Sequence, residues 1–430
     1  MGDPSAWPRT GRNSSGSSLR EGSAAELEAG LWFTRSADVG PDAARPGLLR
    51  ARAVGSEAES VAEAWDVRRC RIRDWGGEGG FRPELLRHGF ECIDLTSLDG
   101  LAEALERVRE AGHVGEEDVR EIRARLSGAR LRLGDGSRVR LLTIAPEGFI
   151  MRKAGPNRMP VSPAGAMSPM NDHDAARAVH ADQDVLGTPL RQMLRGAAPW
   201  LFRHDAPDSR NGWSPLMLLN LWIPLQQITR PLALMDKRSI DRRAHQLRYG
   251  LATDAFLDRD ESQRVNDIWS FLHDAGQRWY FHSELHADRA YLFETLGTPH
   301  GSFVVPGEER AERATRRLAA VREALERGDE PGLRRALEPT GGAEVEAGTA
   351  ALRRAISAME SLLEEAGAHA AALCRGEGAP AWSARAARAT DAVVRKSIEM
   401  RVVAVRTPRL WPTRIRGITR LRIRARAGSA

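Results

Sequence analysis

The sequence predicts an α+β protein whose strands form a barrel or a sandwich and whose helices lie partly in one long insertion. The centre of the chain contains several short apolar runs with aromatic residues, each broken by proline, glycine or charge, a pattern typical of strands in such folds. Residues 307–392 instead repeat alanine, leucine, glutamate and arginine at helical spacing. Strand composition returns after them in RKSIEMRVVAV, so the helical block is an insertion rather than a terminal domain.

The N-terminal part of the chain mixes both kinds of element. Residues 1–24 are rich in glycine, serine and proline and predict a disordered tail. The folded domain is then predicted to span residues 25–405. Within it, residues 101–128 carry apolar positions at helical spacing and predict two short helices. Residues 129–144 alternate around a Gly-Asp-Gly turn and predict a β-hairpin.

Several central segments have a clear local pattern. The apolar runs that predict strands are SPLMLLNLWIPL, RPLALMD, QRWYFHSEL and GSFVVP. The stretch SELHADRAYLFETL, in contrast, has its apolar residues at helical spacing after a serine, which predicts a helix.

The predicted insertion, residues 307–392, carries two apolar stripes that must be buried against something. The stripes are Leu318, Val321 and Leu325, and then Leu352, Ile356, Met359 and Leu363. They can pack on the barrel mouth, on each other or on a second subunit. We therefore expect the insertion to be either a lid beside the active site or the arm of a homodimer. Residues 406–430 follow the last strand and predict a basic C-terminal tail.

The composition fits a globular protein of one large domain or two ordinary ones. Of the 430 residues, 42% are hydrophobic and 28% are charged, which is normal for soluble domains. No apolar run approaches the roughly 20 residues that cross a bilayer, and the N-terminus has no apolar stretch typical of a secretory signal. Cys70, Cys92 and Cys374 are widely spaced, so neither a disulfide framework nor a zinc cluster is expected. We predict a cytoplasmic protein that has no membrane partner.

The net charge does not favour a nucleic-acid partner. The formal charge is +6, but the basic residues are mixed with acidic ones along most of the chain. Only Lys153, Lys237 and Lys396 are lysines among the 64 basic residues, which indicates a general bias toward arginine rather than a basic binding surface.

The segment ARAVHADQDVLG contains a histidine and a carboxylate two residues apart, His180 and Asp182. On a β-strand, residues i and i+2 point to the same face, so both side chains can bind one ion. A His-x-Asp pair with one distant histidine is the ligand set of non-haem Fe(II) oxygenases. The same tripeptide recurs at His286–Asp288, inside the predicted helix. There the two side chains would lie about 200° apart, so this copy is expected to be ordinary helix surface.

The third ligand must come from elsewhere in the chain. The remaining candidates are His173, His204, His245, His273, His282 and His300. His300 stands in GTPHGSFVV, where a proline and flanking glycines bring a strand out of a tight turn. A histidine at such a strand start can point into a barrel mouth, although a satisfied or solvent-facing histidine is the commoner case.

One face of the last predicted strand is polar and the other apolar. The polar positions, at a period of two, are Arg395, Ser397, Glu399 and Arg401. This pattern fits an edge strand with a solvated face. It also fits a barrel-lining strand, on which an arginine would bind the far carboxylate of a cosubstrate such as 2-oxoglutarate through two parallel hydrogen bonds.

Taken together, these segments resemble a known family, the Fe(II)/2-oxoglutarate-dependent oxygenases that include cephamycin methoxylase-related proteins, aspergillic-acid hydroxylase-like proteins and fungal endoperoxide-forming enzymes. The matching segments occur in the family's order and cover most of residues 85–405 outside the insertion. They are RHGFECIDLTS, AVHADQD, LNLWIPLQQITRPLALMDKRSID, QRWYFHSELHADRAYLFETL, TPHGSF and RKSIEMR.

The resemblance implies a double-stranded β-helix (jelly-roll) core with flanking helices and the helical insertion. It implies that His180, Asp182 and His300 bind Fe(II), that 2-oxoglutarate takes two of the open positions and that O2 takes the third. Asp182 argues against a halogenase, in which a small residue replaces this ligand. The expected reaction is hydroxylation, desaturation or oxidative cyclisation of a small molecule, either a specialised metabolite or an amino-acid- or peptide-derived intermediate.

The resemblance also assigns roles to other residues. Arg395 with Ser397 is the first choice for the far carboxylate of 2-oxoglutarate, and Arg401 on the same face is the second. Asn220 and Trp222, two apart on one strand, are expected to face the interior near the iron and shape a cosubstrate or substrate pocket. The alternative for this pair is a core tryptophan beside a hydrogen-bonded asparagine.

Some features depart from the family pattern. Ile223 follows the tryptophan where relatives often carry an arginine, PHGSF replaces PHTAF, and the link before Arg395 is much longer. These departures leave the substrate open. Two other classes of function stay open as well: a jelly-roll binding protein without turnover, whose arginine-rich tail binds anionic partners, and a metal enzyme that needs no 2-oxoglutarate.

Overall fold

The structure is a computed structural model of the chain. The residues that it describes are 26–53, 61–76, 80–144, 149–155, 171, 174–186, 196–252, 265–283, 285–338, 341 and 345–407. The predicted N-terminal tail, residues 1–24, and residues 408–430 of the predicted basic tail lie outside these ranges. So does His173, one of the candidate ligands.

The first part of the chain alternates strands with short helices. Its elements are β1 (Glu26–Phe33), β2 (Val39–Pro41), β3 (Leu49–Ala51), β4 (Asp66–Asp74), α1 (Leu85–His88), β5 (Phe90–Asp94), α2 (Leu101–Ala111), α3 (Glu116–Leu126), β6 (Arg130–Arg132), β7 (Arg138–Ile144) and β8 (Ile150–Ala154). The two helices predicted for residues 101–128 are confirmed. The predicted hairpin is also confirmed, because β6 and β7 pair antiparallel around the Gly-Asp-Gly turn.

The central part is dominated by strands. Its elements are β9 (His180–Ala181), α4 (Ala198–Leu201), β10 (His204–Ala206), β11 (Ser209–Asn211), β12 (Leu216–Gln226), β13 (Leu232–Met235), α5 (Arg242–His245), β14 (Gln246–Ala252), β15 (Val265–Phe271), β16 (Trp279–Phe281), β17 (Arg289–Glu294) and β18 (His300–Ser302). The strands predicted from SPLMLLNLWIPL, RPLALMD and QRWYFHSEL are confirmed as β12, β13 and β16, whereas GSFVVP is strand only at its first two residues, within β18.

The predicted helix in SELHADRAYLFETL is wrong. The chain turns at residues 286–288 and then forms β17, which pairs with β5 on one side and with β12 on the other. Both faces of β17 are buried, since Ala290 and Leu292 pack toward α2 and α3 while Tyr291 and Phe293 face the other sheet. A strand buried on both faces reads as a continuous apolar run, which hides its period of two.

The C-terminal part consists of helices followed by one long strand. Its elements are α6 (Glu308–Arg327), α7 (Glu330–Leu337), α8 (Ala350–Ala368), α9 (Ala370–Cys374), α10 (Ala379–Ala392) and β19 (Arg395–Thr407). The helical character predicted for residues 307–392 is confirmed. The strand predicted at RKSIEMRVVAV is also confirmed, and it continues to Thr407.

The strands form two large sheets, so the α+β class is confirmed. One sheet has ten strands in the order β1-β4-β16-β13-β18-β9-β15-β14-β3-β2, and the other has the order β5-β17-β12-β19-β7-β6 with β8 also paired to β19. The sheets face each other across a mixed cluster that contains Leu234 and Tyr280 of the first sheet and Trp222 and Phe293 of the second. The inner side chains of the two sheets therefore pack against each other.

Helices cover the outer faces of both sheets. Helices α2 and α3 pack on the second sheet, where β12 contributes Leu219 and Leu221 and β19 contributes Met400. The alternate residues of β12 and β19 consequently face the other sheet. Because β19 pairs with β12 on one side and with β7 and β8 on the other, its polar face is an interior face and not that of a solvated edge strand.

The inserted helices pack on the back of the ten-stranded sheet. Both predicted apolar stripes join one core cluster, in which they contact each other and the outer side chains of β1, β4, β13 and β16. Of the three options for these stripes, the structure therefore shows mutual packing, with the sheet's outer face as a further partner. Among the described residues, no helix is long and apolar enough to cross a membrane.

Candidate metal centre

His180 and His300 lie opposite each other on neighbouring strands of the ten-stranded sheet. They form a cross-strand pair between β9 and β18, with ring centroids 4.4 Å apart. Leu234 pairs with His300 in the next strand, so both imidazoles share the face that Leu234 turns toward the second sheet. The metal-ligating face of the motif is therefore set by strand register.

Backbone carbonyls fix the tautomer of both histidines. Nδ1 of His180 is 2.8 Å from the carbonyl oxygen of Ala178, and Nδ1 of His300 is 3.0 Å from that of Thr298. A carbonyl oxygen can only accept a hydrogen bond, so in each neutral ring Nδ1 carries the proton. Nε2 is then left with its lone pair, as a metal ligand requires.

Asp182 follows the end of β9 and completes the group. One carboxylate oxygen lies 3.7 Å from Nε2 of His180, and the other lies 3.6 Å from Nε2 of His300. One ligand atom from each residue falls within 4.8 Å of the other two. Three protein ligands that converge on one point can hold a single metal ion, and two imidazoles with one carboxylate suit non-haem iron.

The electrostatics of the group favour a charged carboxylate. Burial alone would raise the pKa of Asp182, but the electrostatic influence of His300 and Arg401, and then of His180, holds it well below its usual range. Burial, and then the neighbouring His180, lower the pKa of His300 to about 4. Burial also opposes the charged form of His180, but the adjacent carboxylate of Asp182 outweighs it and raises that pKa.

Asn220, on the inner face of β12, orients the aspartate. Its amide nitrogen donates hydrogen bonds to Asp182 and, at 3.1 Å, to Glu399. Its amide oxygen accepts a hydrogen bond from the hydroxyl of Thr295, which prevents the amide from flipping. Asn220 is fully buried. Asn220 thus lies in the interior beside the metal group, where it contacts Asp182, Glu399 and Thr295.

Arg401 lies at the same end of the site. Its Nη2 atom is 3.3 Å from Oδ1 of Asp182, and its side chain is about one-fifth exposed. Glu399, the next inner residue on β19, is held by the Nε atom of Arg152 at 3.1 Å. Arg401 is therefore already paired with a ligand of the metal group.

Arg395 lies at the other end of the inner face of β19 and is 1% exposed. Its Nη1 atom donates to the carbonyl oxygen of Arg230 at 2.7 Å, and its Nη2 atom donates to Oγ of Ser397 at 3.2 Å. Among the described residues, no carboxylate lies within ion-pair distance of it, and its Nε atom has no hydrogen-bond partner. Burial, and then the nearby Arg152, lower the pKa of Arg395 to about 10.

Trp222 separates the arginine from the apolar interior. The guanidinium of Arg395 lies 5.3 Å from the centre of the Trp222 ring. The ring of Tyr291 stacks on Trp222, with the two ring centroids 5.1 Å apart. Trp222 is 1% exposed, and its indole N–H is buried without a partner in the described part of the chain. Trp222 faces the other sheet, and it contacts Arg395 rather than the metal group.

Of the other candidate histidines, His204, His245, His273 and His282 are among the described residues and do not belong to this group. His286 and Asp288 of the second His-Ala-Asp copy are exposed in the turn before β17. Among the described residues, the only cluster with metal-ligand geometry is His180, Asp182 and His300.

Some residues of the site could not be found from sequence patterns, because they are remote in sequence from the residues that they contact. Thr295 and Arg152 contact Asn220 and Glu399 across 75 and 247 positions of sequence. Arg230 and Glu308, which stand behind Arg395, are similarly remote. The one local signal was the polar face of β19, whose buried carboxylate and guanidinium each require partners.

Comparisons with known proteins give limited similarity. Residues 150–323, less than half of the chain, match the family model described as an oxidoreductase/YMDC permease-like domain. No curated protein matches the sequence significantly.

Three solved structures of one enzyme, an iron and alpha-ketoglutarate-dependent endoperoxidase named NvfI, are similar in outline. One, in a different conformation, has 17% identity and a TM-score of 0.44 over 89% of this chain and 99% of its own. A second has 15% identity and a TM-score of 0.40 over 89% and 98%. A tryptophan-to-phenylalanine variant has 17% identity and a TM-score of 0.43 over 89% and 98%.

Proposed function

We propose that this protein is an Fe(II)/2-oxoglutarate-dependent oxygenase that oxidises a small molecule, with His180, Asp182 and His300 as the iron ligands. The observation that carries the proposal is the convergence of two Nε2 lone pairs and one carboxylate within 4.8 Å, between two sheets. This donor set fits Fe(II) on one face and leaves further positions for a cosubstrate and dioxygen. Two facing sheets with ligands on their inner faces also fit a double-stranded β-helix, which we propose as the architecture of the core.

Arg395 with Ser397 is the proposed binding site for the far carboxylate of 2-oxoglutarate. In a guanidinium, Nε–H and one hydrogen of Nη2 lie on the same edge and match the two oxygens of a carboxylate. That edge is available in Arg395, because the carbonyl of Arg230 binds Nη1 and only the Ser397 hydroxyl contacts Nη2. An anion here would neutralise a buried cation that has no carboxylate partner among the described residues.

Arg401 is the weaker candidate for this role. Its guanidinium is bound to Asp182, so it acts on the metal group, whereas the hydrogen-bonding edge of Arg395 remains open. The residues around Arg395 also limit water, since Trp222 and Tyr291 are almost fully buried.

When bound, iron with 2-oxoglutarate and O2 supplies the oxidising power, and 2-oxoglutarate leaves as succinate and CO2. The chain's own residues have separate tasks. Asp182 stays ionised at neutral pH and is oriented by Asn220. The two backbone carbonyls keep the histidines in the ligand tautomer, and Arg395 orients the cosubstrate.

The finer points of the function are part of the same proposal. The substrate is a small molecule, and hydroxylation, desaturation and cyclisation all fit this ligand set. A cytoplasmic location stays a prediction.

An anaerobic titration tests the proposal. Fe(II) and then 2-oxoglutarate are added to the colourless protein, and the visible spectrum is recorded. We expect a charge-transfer band only after both are present, and succinate formation after air is admitted. A binding protein without turnover would form no succinate, and a metal enzyme that needs no 2-oxoglutarate would bind Fe(II) without the band. Either result would contradict the proposed function.

A further inference from the structure

The turn between β12 and β13 has an unusual backbone. Arg230 has φ of 48°, and it is the one non-glycine residue with positive φ among the described residues. A residue with a side chain is disfavoured in this left-handed region, so the surrounding structure must hold it there. The carbonyl of this same residue accepts the hydrogen bond from Nη1 of Arg395 at 2.7 Å.

Glu308, the first residue of α6, holds that conformation. One of its carboxylate oxygens accepts the backbone N–H of Arg230 at 2.7 Å and that of Val305 at 2.8 Å. The other accepts Nε of Arg230 at 2.9 Å. Glu308 is 2% exposed, and burying a carboxylate is costly unless its charge and oxygens are satisfied. Its three hydrogen bonds all serve the turn and the entry to the insertion.

The other end of the insertion binds the same turn. The hydroxyl of Thr229 donates to the carbonyl of Val393, and the amide of Gln226 donates to the carbonyl of Val394 at 2.7 Å. The chain thus leaves the core after β18 and re-enters before β19 at a point where both ends of the insertion contact residues 226–230. The inserted helices pack away from the metal group. Their two ends nevertheless contact the turn whose Arg230 carbonyl binds Arg395.

We propose that Glu308 is a positioning residue for Arg395: by holding Arg230 in its left-handed conformation, it fixes the carbonyl that binds Nη1 and leaves the Nε–Nη2 edge open toward the far carboxylate of the cosubstrate. This inference rests on the proposed function. It gives the insertion a role in selecting a dicarboxylic over a monocarboxylic 2-oxo acid. Without Glu308, the turn relaxes and the guanidinium loses its fixed orientation.

The test compares two ligands that differ only at the far end. Affinities for 2-oxoglutarate and for 2-oxopentanoate, which has a methyl group in place of the far carboxylate, are measured by calorimetry on the full chain loaded with Mn(II). The variants are Glu308→Gln, Arg395→Gln and, as a matched control, Glu309→Gln, whose side chain is exposed on the same helix turn. Mn(II) affinity is measured separately and reports on folding of the metal group.

We expect Glu308→Gln to weaken 2-oxoglutarate binding about tenfold or more, as loss of an orienting partner does, while the affinities for 2-oxopentanoate and Mn(II) stay as in the wild type. Glu309→Gln should match the wild type throughout. If Glu308→Gln destabilises the chain, Glu308→Asp retains the charge but shortens its reach, and the same preference for 2-oxoglutarate should fall.

Other results would overturn the inference in distinguishable ways. If Arg395→Gln loses the preference and the Glu308 variants keep it, the positioning role is wrong and the proposed function stands. If both ligands weaken equally in the Glu308 variants, the residue is merely structural. If wild-type protein does not bind 2-oxoglutarate, or Arg395→Gln leaves the preference intact, the proposed cosubstrate site fails and the inference fails with it.

Discussion

The tripeptide His-Ala-Asp occurs twice in this chain, and the two copies have opposite surroundings. At residues 180–182 the strand faces a second sheet, and His300 on the neighbouring strand supplies a further ligand atom. At residues 286–288 the same letters form a turn, in which the carbonyls of His286 and Asp288 accept backbone hydrogen bonds while both side chains are exposed. One copy uses its side chains and the other uses its backbone. A short motif thus gains its chemistry from burial and from a partner remote in sequence.

The largest expected difference between the copies is in metal binding. Replacing His180, Asp182 or His300 by alanine removes one of three ligands, so we expect Fe(II)-dependent succinate formation to disappear. Mn(II) affinity, measured by electron paramagnetic resonance, should fall by about a hundredfold or more, beyond what loss of an orienting residue causes. His286→Ala and Asp288→Ala are the matched controls and should change neither quantity. Full activity in His180→Ala would show that the two copies have been assigned the wrong way round.

The two arginines on the inner face of β19 extend the comparison to the cosubstrate. Arg395→Gln leaves a buried carboxylate unpaired, which costs about 3–5 kcal/mol, so the affinity for 2-oxoglutarate should drop at least about a hundredfold. Arg401→Gln should instead alter Mn(II) affinity, because its guanidinium contacts Asp182. Calorimetry with each ligand separates the two effects. Small and equal changes in both variants would mean that neither arginine binds the far carboxylate.

Asn220 gives the smallest of these effects, because it acts on the metal through Asp182. Asn220→Ala should reduce Mn(II) affinity about 10- to 100-fold, the usual range for a residue that orients a ligand. Asn211 is also buried, but it bonds the carbonyls of Pro199 and Trp200 in a separate hairpin. Asn211→Ala should therefore lower thermal stability without changing metal affinity. An unchanged affinity in Asn220→Ala would leave Asn220 as a purely structural asparagine.

Much of the fold could be predicted, because most elements have a local signal. Alternation in the β6–β7 hairpin and on β19, and helical spacing in α2, α3 and the insertion, follow from which faces are buried. The exception was β17, whose two buried faces remove the alternation that marks a strand. In that case tertiary pairing with β5 and β12 overrides a chance helical spacing.

The residues of the site likewise divide into those that have a local sequence pattern and those that do not. His180 and Asp182 were predictable because two residues on a strand share a face, and Arg395 was predictable because it belongs to a polar row. Thr295, Arg230 and Glu308 carry no such pattern. Each is selected by a hydrogen bond that spans more than 70 positions, so its role appears only once the strands and the insertion are in place.

Strand β12 also fixes the distance between the metal group and Arg395. Asn220 contacts Asp182 at the metal end of the site, and Trp222, the next inner residue, contacts Arg395 at the other end. Two residues of strand span about 7 Å, and β12 is hydrogen-bonded on both sides through these positions, so this spacing cannot stretch. On the proposed function, this fixed strand spacing determines which length of cosubstrate can reach from the metal to Arg395. We expect 2-oxoadipate, one carbon longer, to bind the Mn(II)-loaded chain more weakly than 2-oxoglutarate. Equal affinities in calorimetry would show that the strand spacing does not select cosubstrate length.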